Sequence, residues 1–410
     1  MKAHVVSREV FIASPRAGVA AGGSSYYTRL AGGALIGFHS FMSRSDTADA
    51  GSVRFSEDHG RTWSTPLAWP TQFSHPGGVG RRHVGGGYVD PRTGLYLAFG
   101  TEGVLPTDDP MEGLRQWTLH YSVSRDGGHT QAVSEQVIHE GPEYNAIHHL
   151  PGVTVGKNCV MLGDLGQRPM TRSDGAILVP IQGTPTGPDG DYANPGGGYS
   201  YTDCLLLMGH WKPDGRLGWT VSERIVGDPK RTSRGLIEPT IAELADGSIL
   251  MVMRGSNDNL PGAPGYRWVA RSPDGGQTWS QAVPWTYHDQ APFLSPSSCS
   301  QLIPWRGGRL FWMGNICTTN PDGNGPRYPI VLGEVDRKTG LLIRDSVAAL
   351  DDRQPGESPN LTLSNFYARE DRETGELVLH MSRLFARDFR TGWDNVDWTA
   401  DGLLYRIAVE

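Results

Sequence analysis

Cysteine is scarce in this chain. Its 410 residues include only four cysteines, and no two of them form a C-x-x-C pair: Cys159, Cys204, Cys299 and Cys317. This spacing argues against a disulfide framework and against a zinc site. We therefore expect buried free thiols, no metal and no cofactor.

Runs of basic residues and long apolar segments are also missing. The net charge is −7, which disfavours a nucleic-acid partner. No stretch reaches about 18 apolar residues, so no membrane span is expected. Residues 1–18 lack the apolar core of a signal peptide. We expect a cytoplasmic protein, or a secreted or periplasmic one whose leader has been removed; the sequence does not indicate an oligomeric state.

Glycine, in contrast, is abundant, with 54 residues. A turn that ends in glycine precedes an apolar strand six times, at intervals of 61 to 81 residues: Gly33, Gly94, Gly175, Gly247, Gly308 and Gly375. Six similar β units predict a six-bladed, all-β propeller that forms one domain over residues 1–410. The innermost strands should begin near residues 24, 83, 159, 237, 298 and 364. Segments 403–410 and 9–15 should share a blade and close the ring.

A second repeat follows three of the predicted strands. Segments 56–63 and 272–279 match S-x-D-x-G-x-x-W, and segment 124–131 matches it except for the final Trp. The aspartate of such a turn accepts backbone N–H bonds, so we predict a structural role on outer hairpins. These Asp-boxes, on six repeated units, resemble those of the sialidase superfamily along essentially the whole chain. The resemblance implies an active site at one mouth of the central channel.

Three segments contain the site residues that this resemblance implies. Segment 235–257 is similar to the sialidase stretch with a channel glutamate and an arginine that binds the substrate carboxylate, which implies Glu238 and Arg254. Segment 314–329 is similar to the stretch that leads to another such arginine, which implies Arg327 and includes Asn315. The loop at 43–51 resembles the one that holds a general acid, either Asp46 or Asp49.

The chain also departs from the sialidase pattern. Ser24 and Ser25 stand where sialidases have the first arginine of their carboxylate-binding triad. Ser364 or Asn365 falls where they have a nucleophilic tyrosine, with Tyr367 nearby. Hydrolysis of sialic acid itself is therefore not expected.

Further candidates come from the residues alone. Arg81, Arg82 and His83 open a predicted inner strand and suggest an anion site in which His83 transfers protons. Tyr144 precedes the third blade. The segment 183–201 is either a lid or a long surface loop.

Three functions fit these features. The leading one is an exo-acting glycoside hydrolase for a terminal acidic or uronate-containing sugar of an oligosaccharide or glycoconjugate, with Glu238 and a loop aspartate as acid and base. The second is a polysaccharide lyase in which His83 and Tyr144 move the proton α to a uronate carboxylate. The third is a non-catalytic glycan-binding propeller, which the unpaired channel charges disfavour because they are costly without a ligand.

Overall fold

The computed structural model describes residues 2–164, 168–390 and 396–410. It contains six antiparallel sheets of four or five strands each, arranged as the blades of a propeller around a central channel. Helix in the described ranges is confined to α1 (Gly113–Gln116) and to short 3-10 turns at Pro110–Glu112, Arg306–Gly308 and Arg344–Ser346. The six-bladed, all-β fold predicted from the glycine repeat is confirmed.

The main strands follow one another from the inside of each blade to its outside, and blades 2, 3 and 5 each carry one additional short strand. The first strand, β1 (Ala3–Ile12), belongs to the last blade. Blade 1 contains β2 (Ala20–Tyr27), β3 (Leu35–Met42), β4 (Ala50–Ser56) and β5 (Leu67–Trp69). Blade 2 contains β6 (Gln72–His75), β7 (Gly78–Val89), β8 (Tyr96–Leu105), β9 (Thr118–Ser124) and β10 (Val133–Gln136). Blade 3 contains β11 (Val160–Met161), β12 (Met170–Thr171), β13 (Ile177–Gly183), β14 (Asp203–Trp211) and β15 (Leu217–Val221).

The remaining blades repeat this order. Blade 4 contains β16 (Ile237–Glu243), β17 (Ile249–Arg254), β18 (Arg267–Ser272) and β19 (Val283–Pro284). Blade 5 contains β20 (Gln301–Trp305), β21 (Arg309–Asn315), β22 (Ile330–Asp336), β23 (Leu341–Leu342) and β24 (Ala348–Asp351). Blade 6 contains β25 (Tyr367–Glu370), β26 (Leu377–Ser382) and β27 (Gly402–Val409), with β1 as its outermost strand.

The two ends of the chain close the ring in blade 6. Strand β1 pairs antiparallel with β27, from Ala3 opposite Val409 to Ile12 opposite Gly402. The predicted sharing of one blade by the first and last strands is confirmed, and the pairing covers the edge that β27 would otherwise expose.

The repeated glycines lie in one hairpin of every blade, between β2 and β3, β7 and β8, β12 and β13, β16 and β17, β20 and β21, and β25 and β26. Gly175 and Gly247 illustrate why glycine is favoured there, since their φ angles of +98° and +82° are left-handed. The inner strands of blades 3 and 4 begin at Val160 and Ile237, as predicted to within one residue. Those of blades 5 and 6 begin three residues later than predicted, whereas β2 and β7 begin four and five residues earlier.

The hydrophobic core lies between neighbouring blades. One cluster joins blades 2 and 3 through Leu97 and Trp219, and another joins blades 4 and 5 through Trp285 and Trp312. All four cysteines are buried and free. Because the apolar side chains fill the spaces between blades, the mouths of the channel are left to polar and charged groups.

The Asp-box segments form the outermost hairpins of blades 1, 2 and 4. In the first, Ser56 Oγ donates to Asp58 (2.9 Å), and Asp58 accepts from the Thr62 amide (2.9 Å) and hydroxyl (2.6 Å). Asp126 and Asp274 accept the same bonds in the other two turns. These bonds are internal to each turn, which supports the predicted structural role.

Candidate active site

The backbone at Glu238 has an unusual conformation. Glu238 is the second residue of β16, its φ is +47°, and the strand register is irregular between Ile237 and Thr240. Its amide donates to Gln182 Oε1 of blade 3 at 2.6 Å. A left-handed conformation costs an L-residue roughly 1–2 kcal/mol. An outlier of this kind at a channel mouth is typical of a functional position.

The Glu238 carboxylate is paired with Arg254 of the next strand. Arg254 Nη1 donates to Glu238 Oε1 at 2.5 Å, and the two side chains are 8% and 14% exposed. The second oxygen, Oε2, is buried and has no hydrogen-bond partner among the described residues. A buried acceptor without a partner is costly, so this oxygen is a candidate contact for a ligand.

Arg327 lies beside Arg254 and shares its supports. Arg254 Nε donates to Ser297 Oγ (2.7 Å), and Arg327 Nη2 donates to the carbonyl of the same residue (2.8 Å). Arg254 Nη2 donates to Asn324 Oδ1 (3.0 Å), and Arg327 Nε donates to the Asn324 carbonyl (3.1 Å). The structure therefore brings these two predicted arginines and Glu238 into one cluster.

A third arginine joins the cluster from the turn before β16. Arg234 is 8% exposed and donates to Ser200 Oγ at 2.6 Å, and the Tyr199 ring lies 5.5 Å from its guanidinium carbon. The following residue, Gly235, has a φ of +64°, and a Cβ there would lie 2.1 Å from the Thr202 carbonyl oxygen. This tight turn fixes the position of Arg234.

The charge of Arg254 affects the pKa values of Arg234 and Arg327. Burial, followed by the charges of Arg254 and Arg327, lowers the pKa of Arg234 to about 10, although the charges of Glu238 and Asp46 act in the opposite direction. Burial and the charge of Arg254 likewise lower the pKa of Arg327 to about 10. Within the described ranges, neither Arg234 nor Arg327 has a carboxylate oxygen within 4.0 Å; their partners are hydroxyl and carbonyl oxygens. One buried and one half-buried cation thus lack a direct counter-ion in the part of the chain that the structure describes.

Arg234 was not among the predicted site residues, because it lies in a turn and outside the segment that is similar to sialidases. The usable signal was an Arg-Gly pair directly before a predicted inner strand. A carboxylate was missed as well: Asp164 follows β11, and its charge acts on Arg327, on the Cys299 thiol and on Tyr26.

The two aspartates of the blade 1 loop have different surroundings. Asp46 is exposed, has a φ of +55° and accepts from Ser45 Oγ at 2.7 Å. Its charge acts on Arg234 and on His83. Asp49 Oδ2 instead accepts the Ser43 amide at 2.7 Å and so closes the loop. Of the two aspartates, Asp46 is therefore the one whose charge acts on the arginine cluster.

His83 is half-buried and its imidazole is neutral at pH 7. Its ring lies 4.7 Å from the Trp117 ring, and its Nε2 has no partner in the described part of the chain. Burial lowers its pKa to about 4, against the opposing charge of Asp46. An imidazole that is neutral at pH 7 can accept a proton.

Arg81 and Arg82 are engaged by carboxylates of their own blade. Arg81 makes a two-pronged contact with Asp108 (2.7 and 2.6 Å) and also donates to the Ala48 carbonyl (3.4 Å), which supports the loop of Asp46. Arg82 donates to Glu102 at 2.7 Å. This geometry favours positioning roles over direct contact with a ligand.

Asn315 and Tyr144 lie outside the cluster as well. The Asn315 amide donates to the carbonyls of Pro329 (3.0 Å) and Leu363 (3.2 Å) and so links blades 5 and 6. Tyr144 lies on the loop after the outermost strand of blade 2, with its ring 4.5 Å from the His139 ring and 5.1 Å from the His148 ring.

The departures from the sialidase pattern have structural counterparts. Asn365 precedes β25 with a φ of +56°, and its amide donates to Cys299 Sγ at 3.1 Å. Tyr367 lies further along the channel, where its ring packs 4.3 Å from that of Tyr26. Ser25 bonds His380 (2.8 Å) instead of offering a cation.

The segment 183–201 folds back towards the arginines. Gly198 donates to the Ser233 carbonyl at 3.2 Å, and Asn259 donates to the Gly197 carbonyl at 3.1 Å. Tyr199, which lies beside Arg234, is 55% exposed. The segment therefore covers one side of the cluster.

The described residues contain neither a metal-binding cluster nor a membrane-spanning helix. No group of three or more His, Cys, Asp and Glu side chains is arranged to hold a metal ion. No helix in these ranges is long and apolar enough to cross a membrane.

The six blades form a sialidase-like propeller fold, which solved structures share. The chain is similar to a protein of unknown function from Dyadobacter fermentans (15% identity, TM-score 0.63, covering 100% of this chain and 99% of that one). It is also similar to an intramolecular trans-sialidase from Ruminococcus gnavus (14%, 0.57, 93% of each chain). A third is an α-L-arabinofuranosidase from Fusarium graminearum (14%, 0.54, 98% and 97%). No family model and no curated protein sequence matches the chain.

Proposed function

We propose that this protein is an exo-acting glycoside hydrolase for a terminal acidic or uronate-containing sugar. The observation that carries the proposal is the convergence of Arg234, Arg254 and Arg327 on one region in which two of them lack a carboxylate partner. Buried guanidinium groups suit two-pronged binding of a carboxylate. The similar folds of a trans-sialidase and an arabinofuranosidase add support for a sugar substrate.

In this proposal two carboxylates have different catalytic roles. Glu238, fixed by Arg254 and with Oε2 unpartnered, acts as a base or orients the reacting group. Asp46, on an exposed loop whose charge reaches the cluster, protonates the leaving oxygen. Asp164 is the alternative partner of Glu238, since its charge reaches Arg327 from blade 3.

One observation favours a lyase as the second candidate. His83 is neutral at pH 7 and its buried Nε2 has no partner among the described residues, so this nitrogen is free to accept a proton α to a carboxylate, although a pKa of about 4 makes it a weak base. Tyr144, proposed as its partner, lies on a peripheral loop, so a lyase would need another proton donor.

The test is a panel of acidic, uronate-containing and neutral oligosaccharides, scored for binding and for products. Release of a saturated terminal sugar supports the hydrolase. An unsaturated uronate, detected by its ultraviolet absorbance, supports the lyase. Binding without any product overturns both and leaves a glycan-binding propeller.

A further inference from the structure

The opposite mouth of the channel holds a second basic cavity. It encloses about 180 Å³ and is lined by the ends of several inner strands and by residues next to them, among them Tyr27, Tyr88, Arg168, Tyr367, Arg369 and Arg372. Tyr27 ends β2 and Tyr88 is next to last in β7, whereas Glu238 lies at the start of β16. Inner strands run in the same direction around a propeller of repeated meanders. The cavity is therefore separated from the glutamate by the length of the channel.

Two guanidinium groups of this cavity share one aromatic ring. Arg369 and Arg372 lie 4.9 and 3.9 Å from the centre of the Tyr27 ring. Arg369 is 3% exposed and donates to Ser25 Oγ (3.1 Å) and to the Tyr27 hydroxyl (3.4 Å). A π face attracts cations but does not neutralise them, so the two like charges remain close together.

Two carboxylates near the cavity act on these arginines but are also bonded to other residues: Glu370 lines the cavity, and Asp371 is close to Arg369. The Glu370 carboxylate accepts from Arg306 Nε and from the Arg306 backbone amide. Asp371 accepts from Arg406 (3.2 Å) and from the Glu373 amide (2.9 Å). In the described part of the chain, Arg369 has no carboxylate oxygen within 4.0 Å; its partners are hydroxyl groups. The cavity thus carries an excess of positive charge that burial makes unfavourable.

Arg168 approaches the same space from another blade. It follows the inner segment of blade 3, and its charge acts on Tyr367 and on Arg372 of blade 6. A planar carboxylate presents its oxygens on one edge, whereas a tetrahedral oxyanion presents them in several directions. Cations from two blades around a small cavity match the tetrahedral shape.

We propose that this second cavity binds a small tetrahedral oxyanion, phosphate or sulfate, as the free ion or as the ester group of a sugar. The bound anion would neutralise Arg369 and Arg372 and connect blade 6 with blade 3. Burial lowers the pKa of both arginines, which is the penalty that an anion would relieve. A ligand that binds only the folded state also raises its stability.

The test is a titration of the full chain with inorganic phosphate, and separately with sulfate, by calorimetry at constant ionic strength set with NaCl. We expect saturable binding and a rise in the unfolding temperature. Arg372→Gln, at a partly exposed position, should weaken phosphate binding at least about tenfold, as expected for the loss of a charged hydrogen bond. Arg369→Gln should do the same, and Arg372→Gln decides the question if that variant fails to fold.

Two control variants make the result specific. Arg125→Gln removes an exposed arginine from the turn after β9 and should leave the affinity unchanged. Arg327→Gln alters the other mouth and should also retain phosphate binding. A sugar monophosphate that competes with phosphate would identify the ester as an accepted form, and its failure to compete would leave the free ion. Absence of saturable binding, an unchanged affinity in Arg372→Gln, or its loss in Arg327→Gln would overturn the proposal, whatever the outcome of the glycan panel.

Discussion

Arg254 and Arg327 lie in different blades but are fixed by the same two residues. The Ser297 hydroxyl accepts a hydrogen bond from Arg254 (2.7 Å), and the Ser297 carbonyl accepts one from Arg327 (2.8 Å). The Asn324 side-chain oxygen accepts from Arg254 (3.0 Å), and the Asn324 carbonyl accepts from Arg327 (3.1 Å). Two like charges are therefore held close together before any ligand arrives, and this preorganisation favours an anion that bridges them.

The first prediction concerns Arg234. Arg234→Gln should reduce kcat/KM for an acidic substrate by about 10- to 100-fold, because one charged hydrogen bond is lost. Activity on a neutral sugar with the same linkage should change much less. Steady-state kinetics on the two substrates measure the difference.

The control for this prediction is Arg216→Gln, on an outer hairpin where the arginine side chain is 54% exposed. It removes the same charge far from the channel and should leave both rates unchanged. Equal losses on acidic and neutral substrates in Arg234→Gln would contradict a role in binding the anionic group.

The second prediction concerns Glu238. Glu238→Gln retains the shape and removes the charge, and it should lower kcat by about 10²-fold or more, as for other acid–base groups. Arg254 keeps its bonds to Ser297 and Asn324, so the unfolding temperature should fall only slightly. A variant that unfolds much earlier, or that retains full activity, would indicate that Glu238 is a structural ion-pair partner.

The fold was predictable because each blade contains a short sequence pattern that indicates its hairpin. Gly175 and Gly247 mark hairpins whose backbone demands glycine, and the Asp58 and Asp274 turns satisfy their own hydrogen bonds. Such features depend on a few consecutive residues. They need no knowledge of the rest of the chain.

The site was only partly predictable because it depends on long-range contacts. Glu238 and Arg254 could be found from one hairpin, whereas Arg234 is oriented by Ser200 from a loop more than thirty residues earlier. Tyr144 as a substrate-binding residue stays a prediction. Sequence order assigns it to the approach to blade 3, whereas the structure places it on the loop after β10, with its ring centre 4.5 Å from that of His139 and 5.1 Å from that of His148.

The third prediction concerns stability in mild acid. Burial lowers the pKa of His39 from 6.5 to about 4 in the folded protein. As the pH falls from 6.5 towards 4, the unfolded chain binds a proton that the folded chain does not, so stability is lost in this window. At about 1.4 kcal/mol per pKa unit, the loss is about 3 kcal/mol at pH 4. His83 and His149 act in the same direction.

His39→Phe tests this linkage. The ring already lies 5.4 Å from that of Phe11, and its Nε2 has no partner among the described residues, so an apolar ring should be accepted. The variant should show a smaller decrease in the free energy of unfolding between pH 6.5 and 4, measured by urea denaturation. His4→Phe, at an exposed position of β1, is the matched control. The same decrease in His39→Phe as in the unaltered protein would contradict the prediction.

The last prediction separates the two aspartates of the 43–49 loop. Asp46 is exposed and its charge reaches Arg234, whereas Asp49 holds the loop through the Ser43 amide. If Asp46 protonates the leaving oxygen, Asp46→Asn should lower kcat by about 10²-fold or more for a sugar leaving group. A nitrophenyl leaving group needs no such proton, so the same variant should lose much less activity on that substrate.

Asp49→Asn is the internal control, since it changes the same functional group three residues away. It should lower the unfolding temperature by loosening the loop and should reduce the two rates by the same factor. The comparison therefore distinguishes proton donation from loop geometry, because only a proton donor makes the loss depend on the leaving group. If Asp46→Asn reduces both rates equally, Asp46 is not the general acid. Asp164→Asn, measured on the same pair of substrates, would then show whether the blade 3 carboxylate acts in its place.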